Sequence, residues 1–451
     1  MICYNTDIAS ALIQYRISGT GAGGIAASVE HGIESGELPP GSPLPAVRSL
    51  AAELGVSPTT VAAAFRDLRS RGLVVTRARS GAFVSWRPAV ASAWSSAPAR
   101  EGVRDLASGN PDPELLPDIV PVLRRIEPPR QLYGGEQADP LLLERAGAEL
   151  ARDGIAAEET AVVSGALDGI ERALAARLRP GDVVAVEDPG FAGLFDLLRA
   201  AGYALRPVAI DARGMTAPAL SAALDDGAAA VVLNPRGQNP TGASLDEGRA
   251  GELRAVLERH PEVMVLEDDH LGPIAGAPRH TLTGGRRCWA AARSLAKSLG
   301  PDLRLAVLAG DAHTISRVRG RQAVGPGWAS HLLQRIAAEL MGDGEVTHLL
   351  ERATATYAER REALLAALAE RGIGGAESLG GLNVWIPVPD ETQVIQALEA
   401  AGWAVAPGAR FRLQAPPAIR VTISSLAPVD AASLAGALAA ALEPSARTRA
   451  A

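Results

Sequence analysis

The sequence has 451 residues, of which 47% are hydrophobic and 21% charged, and its formal net charge is −7. This length exceeds one ordinary domain, and the negative charge argues against a chain that coats nucleic acid along its whole surface. No apolar run reaches the roughly 18 residues of a membrane span, and the N-terminus lacks a signal-peptide pattern. Cys3 and Cys288 lie far apart and indicate no disulfide framework. We therefore expect a cytoplasmic protein of more than one domain, without membrane contact.

Basic charge is concentrated near the N-terminus. Residues 42–87 contain seven arginines and two acids, Glu53 and Asp67, which leaves a local charge of +5 (seven minus two). A basic segment on an acidic chain is typical of a module that contacts DNA. A difference of this size also occurs as ordinary surface variation, so charge alone leaves both interpretations open.

The same stretch has the pattern of helix, turn, helix and hairpin. Residues 22–38 carry apolar side chains at helical spacing, and Pro-Pro-Gly at 39–41 is expected to stop this helix. A helix over 46–54 is followed by Gly55, which permits a tight turn, and by Ser57, which can cap the next helix. Residues 73–85 contain two short apolar runs around Ser80-Gly81. The pattern predicts a helix-turn-helix with a β-hairpin wing.

The second helix of a helix-turn-helix enters the major groove of DNA. Short hydrogen-bonding side chains at its start are therefore expected to face DNA, namely Ser57, Thr59 and Thr60. Arginines on both helices and on the wing are expected to meet phosphates, and these are Arg48, Arg66, Arg69, Arg77 and Arg79. Such helix pairs also occur as plain packing units, but the wing and the basic bias favour DNA binding.

Two strings carry a family resemblance in this part of the chain. The residues GELPPGSPLPAVRSLAAELGVSPTTVAAAFRDLRSRGLV and RSGAFV resemble the winged-helix domain of GntR-type regulators, over about residues 22–85. The resemblance implies DNA-facing roles for Arg48, Thr59, Thr60 and Gly81. Pro58 departs from the family, in which this position is often polar or basic. We expect residues 1–87 to form a DNA-binding domain whose partner is a double-stranded operator.

The pattern changes after a predicted linker over residues 88–104, which is rich in Pro, Ala and Ser. From 105 to 445, helical segments alternate with the apolar runs AVVSG, DVVAVED, AAAVVLNP, VMVLEDD and RLAVLAG. This alternation predicts an α/β domain with a mainly parallel sheet between helices. Near the end, LNVWIPV, GWAVAPG and AIRVTISS predict a small α+β subdomain.

Lys297 is the single lysine among 44 basic residues. Unlike arginine, lysine can lose its proton and bond covalently to a carbonyl carbon. The residue is therefore either the Schiff-base lysine of a carbonyl cofactor or a surface residue, and the count leaves both open.

Five motifs follow in an order that matches the needs of pyridoxal 5'-phosphate (PLP). The turn Ser164-Gly165-Ala166 places backbone N–H groups at a helix start, which suits a phosphate. Phe191, after a strand and turn, can stack on a pyridine ring. The loop NPRGQNPTG contains Asn239, which can donate to the 3-oxygen, and VMVLEDDH ends a strand in carboxylates that can pair with the ring nitrogen. In ARSLAKSLGPDLRLAV, Ser294 and Arg304 flank Lys297 and can reach the phosphate.

Together these motifs resemble fold-type I aminotransferases over about residues 105–440. The resemblance implies PLP as the cofactor, with Lys297 bonded to its aldehyde, Asp268 at the ring nitrogen and Asn239 at the 3-oxygen. It also implies a stacking role for Phe191 and phosphate contacts from Ser164, Gly165, Ala166, Ser294 and Arg304. Metal ligands are not expected.

The resemblance extends to a partner subunit and an effector. Tyr133 resembles the tyrosine that reaches the phosphate of the neighbouring subunit, which implies a homodimer. Arg420 resembles the arginine that grips a substrate carboxylate, which implies an amino acid or amine as effector. His270 stands near the 3-oxygen where relatives carry tyrosine, Ala296 where serine is common and Ala306 where glycine is usual. These departures favour cofactor binding over efficient transamination.

A GntR-like head on an aminotransferase-like body is identified as the arrangement of MocR-type regulators, and the motifs are most similar to the PtsJ-like subgroup. Members of that subgroup are associated with vitamin B6 salvage genes. The resemblance implies a PLP-responsive transcription regulator of such genes or of amino-acid or amine metabolism. The alternatives are an active aminotransferase with an autoregulatory DNA-binding domain and a DNA-binding scaffold with a vestigial body.

Overall fold

The computed structural model describes residues 15–34, 37–39, 41–70, 73–77, 81–85, 102–127, 130–156 and 159–443. These residues form two units, and each is considered by itself. Residues 88–101 of the predicted linker lie outside the described ranges. Within those ranges, no helix is both long enough and apolar enough to cross a membrane.

The N-terminal residues form three helices and a hairpin. The elements are α1 (Ala22–Glu34), α2 (Val47–Leu54), α3 (Pro58–Ser70), β1 (Val74–Arg77) and β2 (Gly81–Val84). The two strands are antiparallel. Gly55 ends α2 in the left-handed region with φ 65°, and Ser57 Oγ accepts a hydrogen bond from the Thr60 backbone N–H at 3.1 Å, which caps α3. The predicted order of helix, turn, helix and wing is confirmed.

The end of α1 differs from the prediction. The helix stops at Glu34, ahead of the Pro-Pro-Gly at 39–41. The Leu38 backbone N–H donates to the Gly32 carbonyl oxygen at 2.7 Å, and the Leu38 side chain is fully buried. Leu38 therefore packs in the core of the head, ahead of Pro-Pro-Gly, with its backbone N–H bonded to α1.

The body contains twelve described strands. They are β3 (Arg104–Leu106), β4 (Glu159–Val163), β5 (Val183–Asp188), β6 (Ala204–Asp211), β7 (Gly214–Met215), β8 (Ala230–Leu233), β9 (Met264–Asp269), β10 (Trp289–Ser294), β11 (Ala306–Gly310), β12 (Asn383–Pro387), β13 (Trp403–Pro407) and β14 (Ala418–Thr422). An eight-stranded sheet has the order β4-β11-β10-β9-β8-β5-β6-β7. The central pairs β5·β8, β8·β9 and β9·β10 are parallel, whereas β11 is antiparallel to both neighbours.

Eleven helices accompany these strands in the described part of the body. They are α4 (Val120–Arg125), α5 (Pro140–Arg152), α6 (Ala166–Ala175), α7 (Ala192–Ala200), α8 (Ala217–Asp225), α9 (Glu247–Glu258), α10 (Ala312–Ala323), α11 (His331–Met341), α12 (Gly344–Glu370), α13 (Glu391–Ala400) and α14 (Ala431–Leu442). Every residue of β8, β9 and β10 is buried, because helices cover both faces of the parallel region. The predicted mainly parallel α/β fold is confirmed.

A second sheet belongs to the C-terminal subdomain and has the order β12-β14-β13-β3. Helices α12, α13 and α14 pack on it in a shared core. Strand β3 begins at Arg104, the last residue of the predicted linker, and pairs in parallel with β13. The chain thus enters the body through the small subdomain, and residues 107–110 follow directly.

Candidate functional site

A cavity of about 1100 Å³, part of it open to solvent, lies where strand ends of the large sheet meet the small subdomain. Ten of the residues predicted from the motifs line this one cavity. They are Gly165, Ala166, Phe191, Asn239, Asp268, His270, Ser294, Lys297, Arg304 and Arg420. Segments spread over more than 250 positions of the chain are therefore brought to one place.

Two predicted residues are not part of the cavity lining. The Ser164 backbone N–H donates to the Asp168 carboxylate at 3.0 Å, and its side chain is exposed. Tyr133 is 95% exposed, and its ring centroid lies 5.5 Å from that of Trp328. Neither residue contributes to the cavity within this chain.

Strand alternation decides which of three consecutive acids faces the cavity. Asp268 lines it, whereas Glu267 and Asp269 point to the opposite side of β9, toward buried arginines. Asp268 Oδ1 is buried and has no hydrogen-bond partner among the described residues. Burial, and then the charge of Asp269, raise the pKa of Asp268 to about 7. A buried acceptor without a partner fits the protonated ring nitrogen of PLP.

The opposite face of β9 carries a buried charge network. Asp269 lies 2.9 Å from Arg236 Nη2, 3.1 Å from Arg279 Nη1 and 2.8 Å from Arg293 Nε. Burial opposes ionisation of Asp269, but the three guanidinium charges outweigh it and hold its pKa well below the usual range. Arg236 belongs to the loop of Asn239, and Arg293 precedes Ser294. The network therefore ties together the segments that carry Asn239, Asp268 and Ser294.

Lys297 is the amine of the cavity. Its Nζ donates a hydrogen bond to the Gly109 carbonyl oxygen at 2.7 Å. Burial, and then the positive charge of Arg420, lower the pKa of Lys297 to about 8. A larger fraction of neutral amine is present at pH 7 than in an exposed lysine, which suits attack on an aldehyde.

A cradle for a phosphate lies at the start of α6. Gly165 has φ 102°, and a Cβ atom there would lie 3.0 Å from Arg304 Nη2. Arg304 itself has φ 49°, a left-handed conformation that residues other than glycine adopt rarely. The N-terminus of α6 supplies backbone N–H groups beside this guanidinium. The residues present thus fit the cofactor phosphate as well as its ring nitrogen and aldehyde.

Arg420, in β14 of the small subdomain, is buried and lines the cavity. Nη1 donates to Asn239 Oδ1 at 3.2 Å, Nη2 donates to the Ala107 carbonyl oxygen, and the guanidinium carbon lies 4.6 Å from the centroid of the Phe411 ring. Nε is buried without a partner in the described ranges. Burial, and then the charge of Arg410, lower the pKa of Arg420 to about 10.

His270 lies beside the side-chain amide of Asn234. Asn234 Nδ2 donates to the Asp268 carbonyl oxygen at 2.7 Å and lies 3.3 Å from His270 Nδ1. Burial, and then the charge of Lys297, lower the pKa of His270 to about 4. The ring is therefore neutral at pH 7 and can offer one donor and one acceptor.

A second buried acid lies behind the cavity. Glu187 Oε2 accepts hydrogen bonds from the Asn234 backbone N–H and from Gln238 Nε2, each at 3.2 Å. Oε1 is buried and has no partner among the residues described. Burial raises the pKa of Glu187 to about 8, and the nearby charge of Asp268 adds to the rise.

Sequence reasoning missed several residues of the site. Phe411 and Arg410 line the cavity, and only their position one turn after GWAVAP could have indicated this. Asn234 could have been identified as the first residue of the NPRGQNPTG loop. Ala107 and Gly109 act through backbone carbonyls, for which side-chain patterns give no signal.

The predicted DNA-facing residues lie on the head. Arg48, Ser57, Thr59, Arg66 and Gly81 are exposed and Thr60 is half-buried. Ser57 Oγ lies 2.6 Å from Thr59 Oγ1 and 2.8 Å from Thr60 Oγ1. Arg69 Nη1 donates to Thr76 Oγ1 at 2.9 Å, so it is partly engaged within the head. The side chain of Arg77, and all of Arg79, lie outside the described part.

Comparison with known proteins covers both parts of the chain. Residues 22–84 match the bacterial regulatory proteins of the gntR family, and residues 101–438 match aminotransferase class I and II. The vitamin B6 salvage pathway transcriptional repressor PtsJ of Salmonella typhimurium is 39% identical over 414 residues, which are 91% of this chain and 96% of PtsJ. The HTH-type transcriptional regulator TauR of Rhodobacter capsulatus is 31% identical over 85% of this chain and 88% of its own.

Solved structures agree on the fold of the body. A kynurenine aminotransferase from Pyrococcus horikoshii has a TM-score of 0.69 at 21% identity, over 76% of this chain and 91% of that one. An archaeal alanine:glyoxylate aminotransferase has a TM-score of 0.69 at 23% identity, over 75% and 90%. The chain belongs to the MocR-type regulators, DNA-binding proteins in which a GntR-type winged helix is joined to a PLP-binding body with the aminotransferase fold.

Proposed function

We propose that this protein is a PLP-responsive transcription regulator in which occupancy of the cavity changes affinity for a double-stranded DNA operator. The observation that carries the proposal is the pair of hydrogen bonds from Lys297 to Gly109 and from Arg420 to Ala107. Both acceptors lie in the segment that follows β3, and β3 follows the predicted linker. The cavity therefore holds the body's first segment through the two side chains that a ligand would engage.

Ligand and segment compete for the same groups. PLP supplies an aldehyde that bonds to Lys297 Nζ when it is bound, and a carboxylate of an effector would take Arg420. Each of these two binding events removes a hydrogen-bond donor, Lys297 Nζ or Arg420 Nη2, from the 107–109 segment. Other contacts hold the residues that follow. The Tyr357 hydroxyl accepts from the Asp112 backbone N–H at 3.0 Å, Arg360 Nη1 donates to the Asp112 carboxylate at 2.8 Å, and Ser424 Oγ donates to the Asn110 carbonyl oxygen. A ligand can shift the segment only by as much as its affinity differs between the two arrangements.

We propose the following roles for the residues of the cavity, which its geometry supports. Lys297 bonds to the cofactor, Asp268 pairs with the ring nitrogen, and Asn239 and His270 serve the 3-oxygen. Phe191 stacks on the ring, and the phosphate is held by Gly165, Ala166, Ser294 and Arg304. Arg420 binds a carboxylate of an amino-acid effector.

The proposed targets are vitamin B6 salvage genes or genes of amino-acid or amine metabolism, read in the bacterial cytoplasm. PtsJ, to which the chain is 39% identical, is named as a repressor of the vitamin B6 salvage pathway. DNase footprinting upstream of this gene and its neighbours, with and without PLP, tests the proposal. A protected site whose protection changes with PLP supports it, and protection that is the same in both conditions contradicts it.

We also propose a homodimer. Leu132 is 78% exposed and Tyr133 is 95% exposed, and the Tyr133 ring centroid lies 5.5 Å from that of Trp328. Contiguous apolar groups of this kind are unfavourable in water and are typical of contact surfaces. A twofold dimer would present two winged helices to two half-sites. Sedimentation analysis should give twice the chain mass, and Leu132→Asp should shift the equilibrium to monomer, whereas Leu379→Asp, at another exposed apolar position, should not.

The domain bounds 1–87, 88–104 and 105–445 remain part of this proposal. Limited proteolysis should cut between 86 and 101 and release two stable fragments. Fragments cut inside the head or the body at the same rate would contradict these bounds.

The alternative function is an active PLP-dependent aminotransferase that regulates its own gene. The observation in its favour is that Lys297, Asp268 and Arg420 all line the cavity. Incubation with an amino acid and a keto acid decides between them. Many turnovers per protein molecule favour the enzyme, whereas a single half-reaction or none favours the sensor.

A further inference from the structure

The side chains that line the cavity carry an excess of positive charge. Among the described lining residues, Asp268 is the single acid, whereas Lys297, Arg304, Arg410 and Arg420 are basic. The cofactor accounts for part of this set: its ring nitrogen pairs with Asp268, its aldehyde with Lys297 and its phosphate with Arg304. Arg410 and Arg420 are left without an anionic partner from the cofactor.

Neither of these two arginines forms an ion pair within the described part of the protein, although the charge of Asp105 acts on Arg420. Arg420 is 4% exposed, its side-chain partners are an amide oxygen and a carbonyl oxygen, and its Nε has no partner. Arg410 is exposed and forms no hydrogen bond or ion pair with any residue that is described. The two guanidinium groups are close enough to disfavour each other's charge. Like charges that share a cavity are unfavourable until an anion joins them.

The backbone that carries Arg410 is held firmly. A Cβ atom on Gly408 would lie 2.1 Å from the Ala418 carbonyl oxygen, so the turn is packed against β14. The Gly190 backbone N–H donates to the Phe411 carbonyl oxygen at 2.7 Å. The Asp188 carboxylate accepts from the backbone N–H groups of residues 413–415. The backbone of this loop is therefore held in place. It carries Arg410 at the cavity, next to Phe411, whose ring stacks on Arg420.

We propose that the effector of the cavity carries two anionic groups, one bound by Arg420 and the other by Arg410. This inference rests on the proposed function, because it names the class of compound that the cofactor-loaded site senses. A small dicarboxylate has the required charge. A compound with one carboxylate and one phosphate has the same chemistry and is a separate arm of the test.

The experiment uses the full-length protein loaded with PLP, in which loading is verified first by the visible absorbance band. Succinate and glutarate are titrated by calorimetry against butyrate and pentanoate, the monoacids of equal chain length, and phosphoglycolate supplies the phosphate arm. The second ion pair, at an exposed arginine, should make a diacid bind roughly two- to fivefold more tightly than its monoacid. Phosphoglycolate binding above both diacids would identify the second group as a phosphate.

Arg410→Gln should remove this preference, and Arg410→Lys should retain most of it. Arg287→Gln is the matched control, because it removes one charge at an exposed position outside the cavity lining. Equal affinities for diacid and monoacid, or an unchanged preference in Arg410→Gln, would overturn the inference while leaving the proposed function intact. Failure of PLP to bind at all would instead refute the proposed function.

Discussion

Lys297 Nζ donates to the carbonyl oxygen of Gly109 at 2.7 Å, across 188 positions of sequence. The donor is the single lysine of the chain, and the acceptor lies just after the strand by which the chain enters the body. The contact joins the group that would bond to a cofactor with the segment nearest the predicted linker. In the proposed function, this contact is the link by which cofactor binding at Lys297 affects the segment that follows β3.

Lys297→Ala should abolish the covalent attachment of PLP, because the chain has no other lysine to replace it. We expect no absorbance band near 400 nm and no shift on borohydride reduction, with an unchanged circular dichroism spectrum of the apo protein. Lys297→Arg is the matched control, since it retains a donor for Gly109 but cannot form the bond. A wild-type spectrum in either variant would refute the cofactor assignment.

The cofactor-free protein should lose stability as the pH rises from 4 to 8. The pKa of Asp268 is raised from 3.8 to about 7 and that of Glu187 from 4.5 to about 8. At these two acids the folded state therefore binds more protons than the unfolded state, and each lowers the free energy of unfolding as the pH rises. His270, whose pKa is lowered from 6.5 to about 4, acts in the opposite direction and offsets part of this loss. For Asp268 the loss corresponds to roughly 4 kcal/mol at most.

Asp268→Asn and Glu187→Gln should each flatten this dependence. Urea unfolding of apo protein at pH 5 and pH 8 measures it. Asp268→Asn should also be more stable than wild type at pH 8 yet bind PLP more weakly, because the neutral amide cannot keep the ring nitrogen protonated. An identical pH slope in wild type and both variants would show that folding does not raise the pKa of either acid.

Arg48→Ala should weaken DNA binding for all sequences and reduce the salt dependence of binding by about one counterion, because a phosphate contact reads no bases. Arg48→Lys keeps the charge and should preserve most of the slope. Thr59→Ala should instead change the preference among operator variants. The assignments are reversed if Arg48→Ala alters selectivity and leaves the slope unchanged.

Arg279→Met should destabilise the body by about 3–5 kcal/mol, because buried Glu267 loses its ion pair and buried Asp269 loses one of its three arginines. The Arg279 side chain is fully buried between Glu267 and Asp269. Arg254→Met breaks the exposed pair with Glu247 and should cost about 1 kcal/mol or less. The urea unfolding midpoints of the two variants are compared. Equal midpoints would show that the buried network contributes no more to stability than an exposed ion pair.

The order of elements and the cofactor motifs could be predicted from the sequence because each is local. A run such as VMVLEDD identifies β9 by its apolar pattern alone. Strand β10 escaped prediction, since WAAARS is rich in alanine and contains Arg293, whose burial depends on acids far away in the chain. The contacts of Gly109 and Ala107 likewise depend on tertiary packing.

The measurement that tests the account most directly is operator affinity of apo and PLP-loaded protein at one fixed salt concentration, determined by fluorescence anisotropy. The account predicts that PLP changes the Kd at least about fivefold for wild type and leaves the Kd of Lys297→Ala unchanged. Equal affinities and equal footprints for the two wild-type forms, with the covalent bond to Lys297 verified, would contradict it and favour the autoregulated aminotransferase.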